Sequence, residues 1–414
     1  MKIALIHLSD LHFRLNWEEE QSIVLNEFFK DLSKQISSDL SVKNFLVFSG
    51  DIVQKGGNKQ LYDAFYNQFN SELNKLNITK NQRICVPGNH DISTEYIKNQ
   101  FEEHEGVLKL EFNESQFNDY MTKSSNIYNE KFLNYKEFES KFANYGIFGD
   151  SISGSGWNID ENIGIYCLNT AICSSGGYNS INDKNRLAID TRNIQRWLSD
   201  CKATTKILVM HHHKEWLIDW AKTEIDKLLR KNFVLCLSGH IHGQSVFHSI
   251  NNDCTLIECS APPLLTNKNE KLGYSIIFVN EKGVTEIKYR QWTKEHNFVT
   301  GVDFSNNDNG KIIINNNINS NADNLQLDIL KIIEKRLEKA LRSYSIQPIV
   351  FVDPVLSKTN DVSSIHEEEK ENLIDNEHFI CNIKSTIIKA PPQFGLSCLS
   401  HYLIKKAWVL NSSL

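Results

Sequence analysis

The stretch Val234-Leu-Cys-Leu-Ser-Gly-His-Ile-His242 passes from apolar to polar at Gly239. Its aliphatic half reads as a buried strand, because a short apolar run closed by a glycine fits a strand covered on both faces. Gly239 allows a sharp turn. His240 and His242 follow, two residues apart, so an extended chain sends both imidazoles to one side. Histidine is the commonest metal ligand. Taken alone, the pattern is equally that of a polar strand end with two incidental histidines. What separates the two is how the other strands end.

Residues 2–8 form an apolar run closed by Ser9-Asp10-Leu11-His12, and residues 45–48 a run closed by Ser49-Gly50-Asp51. Residues 83–87 end at Gly88-Asn89-His90-Asp91, and residues 206–210 at His211-His212-His213. Asp10 by itself is an ordinary helix cap, since a helical pattern over 17–36 follows it. A series of strand ends that each deliver a carboxylate, an amide or an imidazole is not ordinary. Open α/β sheets place their sites at the carboxyl ends of strands. Between these strands the spacing of Leu61, Phe65, Phe69, Leu73 and Leu76 predicts a helix over 60–76. Further helices are expected within 185–198 and over 217–229. Strands are expected at 163–168, 255–259, 274–279 and 284–292. The last three follow one another with little helix, which predicts antiparallel pairing there.

Residues 92–160 interrupt this alternation. Aromatic residues recur there at spacings of three and four, from Phe101 through Phe117, Tyr135, Phe138 and Phe142 to Phe148. That predicts a helical insertion of two or three helices, its rings packing the insertion or walling a substrate pocket. Ser151 to Gly156 reads as a flexible return. After Val302 the texture changes again. Residues 301–324 are dense in asparagine and read as a linker, which ends a first domain at residue 300. Residues 325–344 carry an apolar seam at Leu330, Ile333, Leu337, Ala340 and Tyr344. Such a helix needs a partner, either the remaining tail or another chain, so self-association or partner binding through 325–414 is expected. Near the end, a predicted strand over 379–388, a loop containing Gly395 and a helix to Val409 follow the order of a phosphate-binding loop. The first glycine and the lysine of that motif are missing, and Leu396 stands where the lysine would be. The module at 325–414 therefore reads as an incomplete, degenerate α/β extension.

Composition fits this outline. The chain has 414 residues, 40% hydrophobic and 23% charged, with a formal net charge of −6. That charge argues against a broad basic footprint for nucleic acid. No run of about 18 apolar residues predicts a membrane span, and residues 1–8 are too short for a signal-peptide core, so a cytoplasmic protein is expected. The nine cysteines contain no Cys-x-x-Cys pair. Cys85, Cys167 and Cys236 lie in apolar runs, where a thiol behaves as a small hydrophobe.

Asp10, His12, Asp51, Asn89, His211, His240 and His242 thus converge at predicted strand ends. Manganese, iron and zinc accept such mixed nitrogen and oxygen donors. Two ions about 3.5–4 Å apart clamp a phosphoryl group and activate a bridging water. Seven ligands with one shared leave each ion room for water and substrate, which suits a catalytic site better than a closed structural one.

In order and spacing, Asp10-x-His12, Gly50-Asp51, Gly88-Asn89-His90-Asp91, His211 and Gly239-His-x-His242 resemble the motifs of the calcineurin-like metallophosphoesterase superfamily, over roughly residues 1–295. The resemblance implies an αββα fold, a two-sheet sandwich flanked by helices. It implies that Asp10, His12, Asp51 and His242 hold one divalent ion, and Asp51, Asn89, His211 and His240 the other, with manganese foremost. It implies that His90 polarises the phosphate or protonates the leaving group, with Asp91 orienting it. Ser9-Asp10-Leu11-His12 looks like the phosphodiesterase and nuclease branches. Gln54-Lys55 and Asp91 depart from the protein phosphatase branch, which has Asp-Arg and Glu there. The fourth motif departs from His-His-Pro-Pro as His211-His212-His213-Lys214. Alignment makes His211 the ligand and His212 a neighbour facing ligands or substrate. A nucleotide or nucleic-acid diester is the expected substrate. A monoesterase, or a scaffold without activity, is the alternative. The tail is weakly similar to the start of the nucleotide-binding regulatory ATPases that bacteria fuse to effector domains.

Overall fold

A computed structural model describes residues 2–15, 19–36, 41–99, 113–123, 129–144, 152–241, 245–251, 254–265, 270–305, 308–314, 356–357 and 373–374. The chain falls into two units, Met1–Asn316 and Asn317–Leu414. Of the second, only a two-stranded antiparallel pair, Leu356–Ser357 with Leu373–Ile374, is described. The expected helix over 325–344 and the strand-loop-helix near 379–409 lie outside the described residues.

The first unit holds two sheets. In the first sheet, β1 (Lys2–Leu8) lies between β2 (Val42–Phe48) and β10 (Gly273–Asn280). β3 (Arg83–Cys85) continues one side, and β11 (Gly283–Trp292) with β12 (Phe298–Thr300) the other. β1, β2 and β3 run parallel, while β10 runs against β1. In the second sheet the order is β4 (Gly154–Asn158), β5 (Ile163–Leu168), β6 (Thr205–Met210), β7 (Leu235–Ser238), β9 (Cys254–Ser260) and β8 (Ser245–Asn251). β5, β6, β7 and β9 are parallel. The expected antiparallel pairing holds for β10 with β11, but β9 stays beside β7 and the chain changes sheet between β9 and β10.

Burial follows the period of two along each strand. Ile3 and Leu5 join Phe45, Val47, Ile207, Val209, Leu235 and Leu237 in a core between the sheets. Ala4, Ile6 and Leu8 face the opposite way, onto Leu25, Phe28, Phe65 and Phe69 of the helices α1 (Glu19–Gln35) and α2 (Lys59–Lys75). Leu208, Met210 and Cys236 face Ile194, Trp197, Ile225 and Leu229, the last four lying on helices at Arg192–Asp200 and Asp219–Asn232. The result is helix, sheet, sheet, helix, as the αββα reading expects. Cys85, Cys167 and Cys236 are free and buried. Among the described residues no helix is long and apolar enough to cross a membrane.

Two expected boundaries move. The aromatic pattern predicts an insertion over 92–160, yet Gly154–Asn158 is β4, the edge strand of the second sheet, paired with β5. Its glycines read as a flexible return, but strand pairing needs only backbone groups. Within the insertion, helices are described at Thr94–Asn99, Glu114–Lys123 and Leu133–Phe142. Tyr135, Phe138 and Phe142 join the core under α2, with Phe138 stacking on Tyr62 at 5.1 Å, while Phe117 and Phe132 join the core of the second sheet. These rings pack the insertion. The second boundary is the start of the linker at 301. Val302–Ser305 is helical, and Lys311–Ile313 forms β13, paired with β11. Ile312 and Ile314 pack against the core between the sheets and Ile313 is exposed, which is strand alternation inside the asparagine-rich stretch.

Candidate metal centre

The parallel strands deliver their polar ends to one place. Pairing of β1 with β2 continues past the strands, since Asp10 N–H donates to Gly50 O and His12 N–H to Asp51 O. In the second sheet, pairing of β6 with β7 likewise continues past the strands, where Gly239 N–H donates to His211 O. Asp10 (φ 52°), His12 (47°), Asp51 (53°) and His240 (69°) all adopt left-handed backbone. Each such residue costs about 1–3 kcal/mol and persists only where its surroundings over-determine it. Four of them at one centre mark a place built for side-chain aim.

Three sets of donor atoms each lie within 4.8 Å: Asp10 with Asp51 and His211, His12 with Asp51 and His90, and His211 with His212 and His240. Asp51 and His211 each belong to two sets. Asp51 Oδ2 is 3.4 Å from His211 Nε2 and 3.8 Å from His12 Nε2, while Oδ1 accepts the His90 N–H at 2.8 Å. Asp10 Oδ2 accepts the His240 N–H at 3.0 Å. Asn89 Oδ1 is 3.1 Å from His211 Nε2, and His211 Nδ1 is 2.7 Å from Ser49 O. That last bond sets Nδ1 as the donor and aims Nε2 at Asp51 and Asn89, as a ligating histidine requires. His242 lies outside the described residues.

The glycines of the motifs are explained by crowding. A Cβ on Gly88 would stand 2.1 Å from Asp51 Oδ1, and one on Gly239 would stand 1.8 Å from Ser9 Oγ and 2.9 Å from Asp10 Oδ2. Both strand ends press their backbone against the carboxylates.

Electrostatics agree with a cation site. Burial pushes the Asp51 carboxyl up, but His211, His90 and His12 outweigh it and hold the group well below the usual range. Burial lowers His211, yet the Asp51 carboxylate outweighs that and raises it to about 9. Burial, then His240 and His211, hold His212 well below its ordinary value. Its Nδ1 is 3.0 Å from Thr170 Oγ1, and its buried Nε2 has no hydrogen-bond partner among the described residues. An unsatisfied buried nitrogen costs about 1–3 kcal/mol. A divalent ion among donors of this kind would offer that nitrogen a partner and would take over the role of the His211 proton. The residues present therefore fit a divalent centre.

Asp91 does not orient the His90 ring. Its carboxylate accepts N–H groups from Ile52, Val53 and Gly88 and the Tyr62 hydroxyl, and so clamps the two loops that carry Asp51 and Asn89. Burial and then Asp51 push its pKa up to about 6. The His90 ring is held by the Gln54 carbonyl, 3.1 Å from Nδ1, and packs edge-on to His12 at 4.6 Å. The sequence carried no signal for Gln54, because a backbone carbonyl does the work. Thr170, at the end of β5, and Trp216, whose ring meets His240 at 4.1 Å, also went unassigned in the sequence.

The calcineurin-like phosphoesterase family model matches residues 3–244. An uncharacterized metallophosphoesterase-like protein, YydB, of Bacillus subtilis (strain 168) is 23% identical over 348 residues, covering 82% of this chain and 68% of that protein. A solved structure of PhoD aligns with TM-score 0.42 and 11% identity, over 72% of this chain and 68% of that one. The purple acid phosphatase PPD1 of yellow lupin (Lupinus luteus) seeds aligns with TM-score 0.41 and 10% identity, over 71% and 52%. The family match spans more than half the length and includes the strand ends at Asp10, Asp51, Asn89, His211 and His240, and the chain belongs to the calcineurin-like phosphoesterase family.

Proposed function

We propose that this chain is a metal-dependent phosphodiesterase acting on nucleotide or nucleic-acid diesters in the cytoplasm. The observation that carries the metal-dependent part is Asp51, which stands within ligand distance of both His12 and His211 and belongs to two donor sets. In this reading Asp10, His12, Asp51 and His242 hold one divalent ion, and Asp51, Asn89, His211 and His240 hold the other, with manganese the favoured metal. His212 stands beside the second set. Bound there, such ions supply charge stabilisation at the phosphoryl oxygens and a water of lowered pKa. The chain's own residues do the rest. Asp51 keeps its orientation through the His90 N–H, and Asp10 through the His240 N–H. With Nδ1–H donating to the Gln54 carbonyl, His90 keeps Nε2 for substrate, and as an imidazolium it donates Nε2–H to a phosphoryl or leaving-group oxygen. Asp91 holds both loops in register.

The diester preference rests on Ser9-Asp10-Leu11-His12 and on position 54–55, where Gln54 serves through its carbonyl and Lys55 is exposed. A diester carries one negative charge where a monoester carries two, and needs no arginine at that place. The residues after 316 supply a partner-binding module in this reading, and the catalytic unit is its effector. Hydrolysis of bis(p-nitrophenyl) phosphate and of p-nitrophenyl phosphate, with Mn²⁺ and then with chelator, tests the proposal. A clear preference for the monoester would overturn the diesterase choice, and no hydrolysis of either would favour a scaffold.

A further inference from the structure

Arg186 Nη2 is buried and has no hydrogen-bond partner among the described residues. Its nearest acids in sequence are already engaged. The Asp183 carboxylate accepts from Ser174 Oγ and from Ser175 N–H and Oγ. Asp190 accepts from Arg192 and Ser153. A buried N–H donor left without an acceptor is costly, and a native protein keeps such a group where a ligand completes it.

Its location names the ligand. Leu187 bridges in parallel to Leu217, and Ile218 N–H donates to Leu187 O. Leu187 and Leu217 both enter the core of the second sheet. Arg186 and Trp216 each stand one position before this bridged pair, Trp216 at the end of the short 3-10 turn Lys214–Trp216, and both remain partly exposed. Trp216 meets the His240 ring at 4.1 Å. Arg186 is therefore one residue away, sideways, from the tryptophan that walls the metal centre. Guanidinium groups bind phosphate through paired N–H donors.

We propose that Arg186 is the subsite for a second phosphate of the substrate, next to the one held at the metal centre, with Trp216 between them. The inference rests on the diesterase reading and narrows it to substrates with at least two phosphate groups.

The test compares the Mn²⁺-loaded full chain on TpT, which has one phosphate, with pTpT and TpTp, which add a second on either side. One of the two should exceed TpT in kcat/KM by about 10–100-fold, the range for a charge-assisted pair. In Arg186→Gln that ratio should fall to about one, and in Arg186→Lys to an intermediate value. Equal kcat/KM for all three in the wild type, or an undiminished ratio in Arg186→Gln, would overturn the subsite while leaving the diesterase reading intact. If Arg186→Gln does not fold, Arg186→Lys decides: a reduced ratio supports the subsite and an undiminished one overturns it. Failure to cleave any of the three or bis(p-nitrophenyl) phosphate would remove the diesterase reading, and the subsite with it.

Discussion

In the metal-free protein, replacing His211 with asparagine should remove a specific part of the pH dependence of folding. His211 is buried beside Asp51, and its folded pKa is about 9 against an ordinary 6.5. The folded state therefore binds this proton more tightly than the unfolded chain. The stabilisation is complete below pH 6.5 and is lost as pH rises towards 9. At about 1.4 kcal/mol per pH unit, the loss between pH 6.5 and 8 is on the order of 2 kcal/mol. Two other buried groups titrate nearby. Burial pushes Glu139 up to about 8, so its contribution also falls with rising pH, and burial pushes Lys131 down to about 8, so its contribution grows above that value. Both are present in His211→Asn and cancel in the difference. The variant also loses the bond to Ser49 O, a cost of about 1 kcal/mol that does not depend on pH.

The measurement is urea unfolding of wild type and His211→Asn in chelator at several pH values from 6.5 to 8. The gap between them should shrink by on the order of 2 kcal/mol across that range. A constant gap would refute the Asp51–His211 pairing as the source of the shift. With Mn²⁺ the trend should reverse, because the ligating nitrogen must be free of its proton and apparent affinity rises with pH.

Asp51→Asn should cost more metal and more activity than any other single ligand change, with turnover down more than about 100-fold; retained metal content by elemental analysis would count against a shared carboxylate. His90→Ala should lower turnover by about 10²–10⁴-fold with metal content unchanged, and a metal-free variant would make His90 a ligand. Gly88→Ala should destabilise the fold by about 1–3 kcal/mol through overpacking on Asp51 and reduce bound metal, measured by melting and elemental analysis. A chain ending at Asn316 should melt as the full chain's first unit does, whereas one ending at Asn306 loses β13 from the edge of β11 and should melt lower; equal melting would show β13 to be dispensable.

Much of the centre was legible because its grammar is local. An apolar run fixes a strand, a glycine ends it, and a carboxylate or imidazole follows, so Asp10, Asp51, Asn89, His211 and His240 were visible one by one. Their convergence needed only the parallel order of the strands. What the sequence hid falls into two physical kinds. The edge strand β4 carries glycine, serine and asparagine, and β13 is three residues set among glycine and asparagine, so both read as turn or linker, because edge pairing relies on backbone groups rather than on an apolar pattern. Only Ile312 and Ile314 betrayed β13. Roles filled by backbone atoms were hidden too, the Gln54 carbonyl behind His90 and the Ser49 carbonyl behind His211 among them.

Asp91 shows where the resemblance misleads. The resemblance has it orient His90, yet the two side chains bond to different partners. A carboxylate that accepts three backbone N–H groups and a tyrosine hydroxyl has no oxygen to spare for an imidazole. Its real partner is the strained loop at Ile52 and Val53, just after Asp51 at φ 53°. Holding that backbone against a cost of about 1–3 kcal/mol is what keeps Asp51 aimed at both donor sets. Asp91→Asn should therefore act through Asp51: one oxygen becomes a donor facing N–H groups, and metal binding should weaken while the ring of His90, fixed by Gln54, keeps its place.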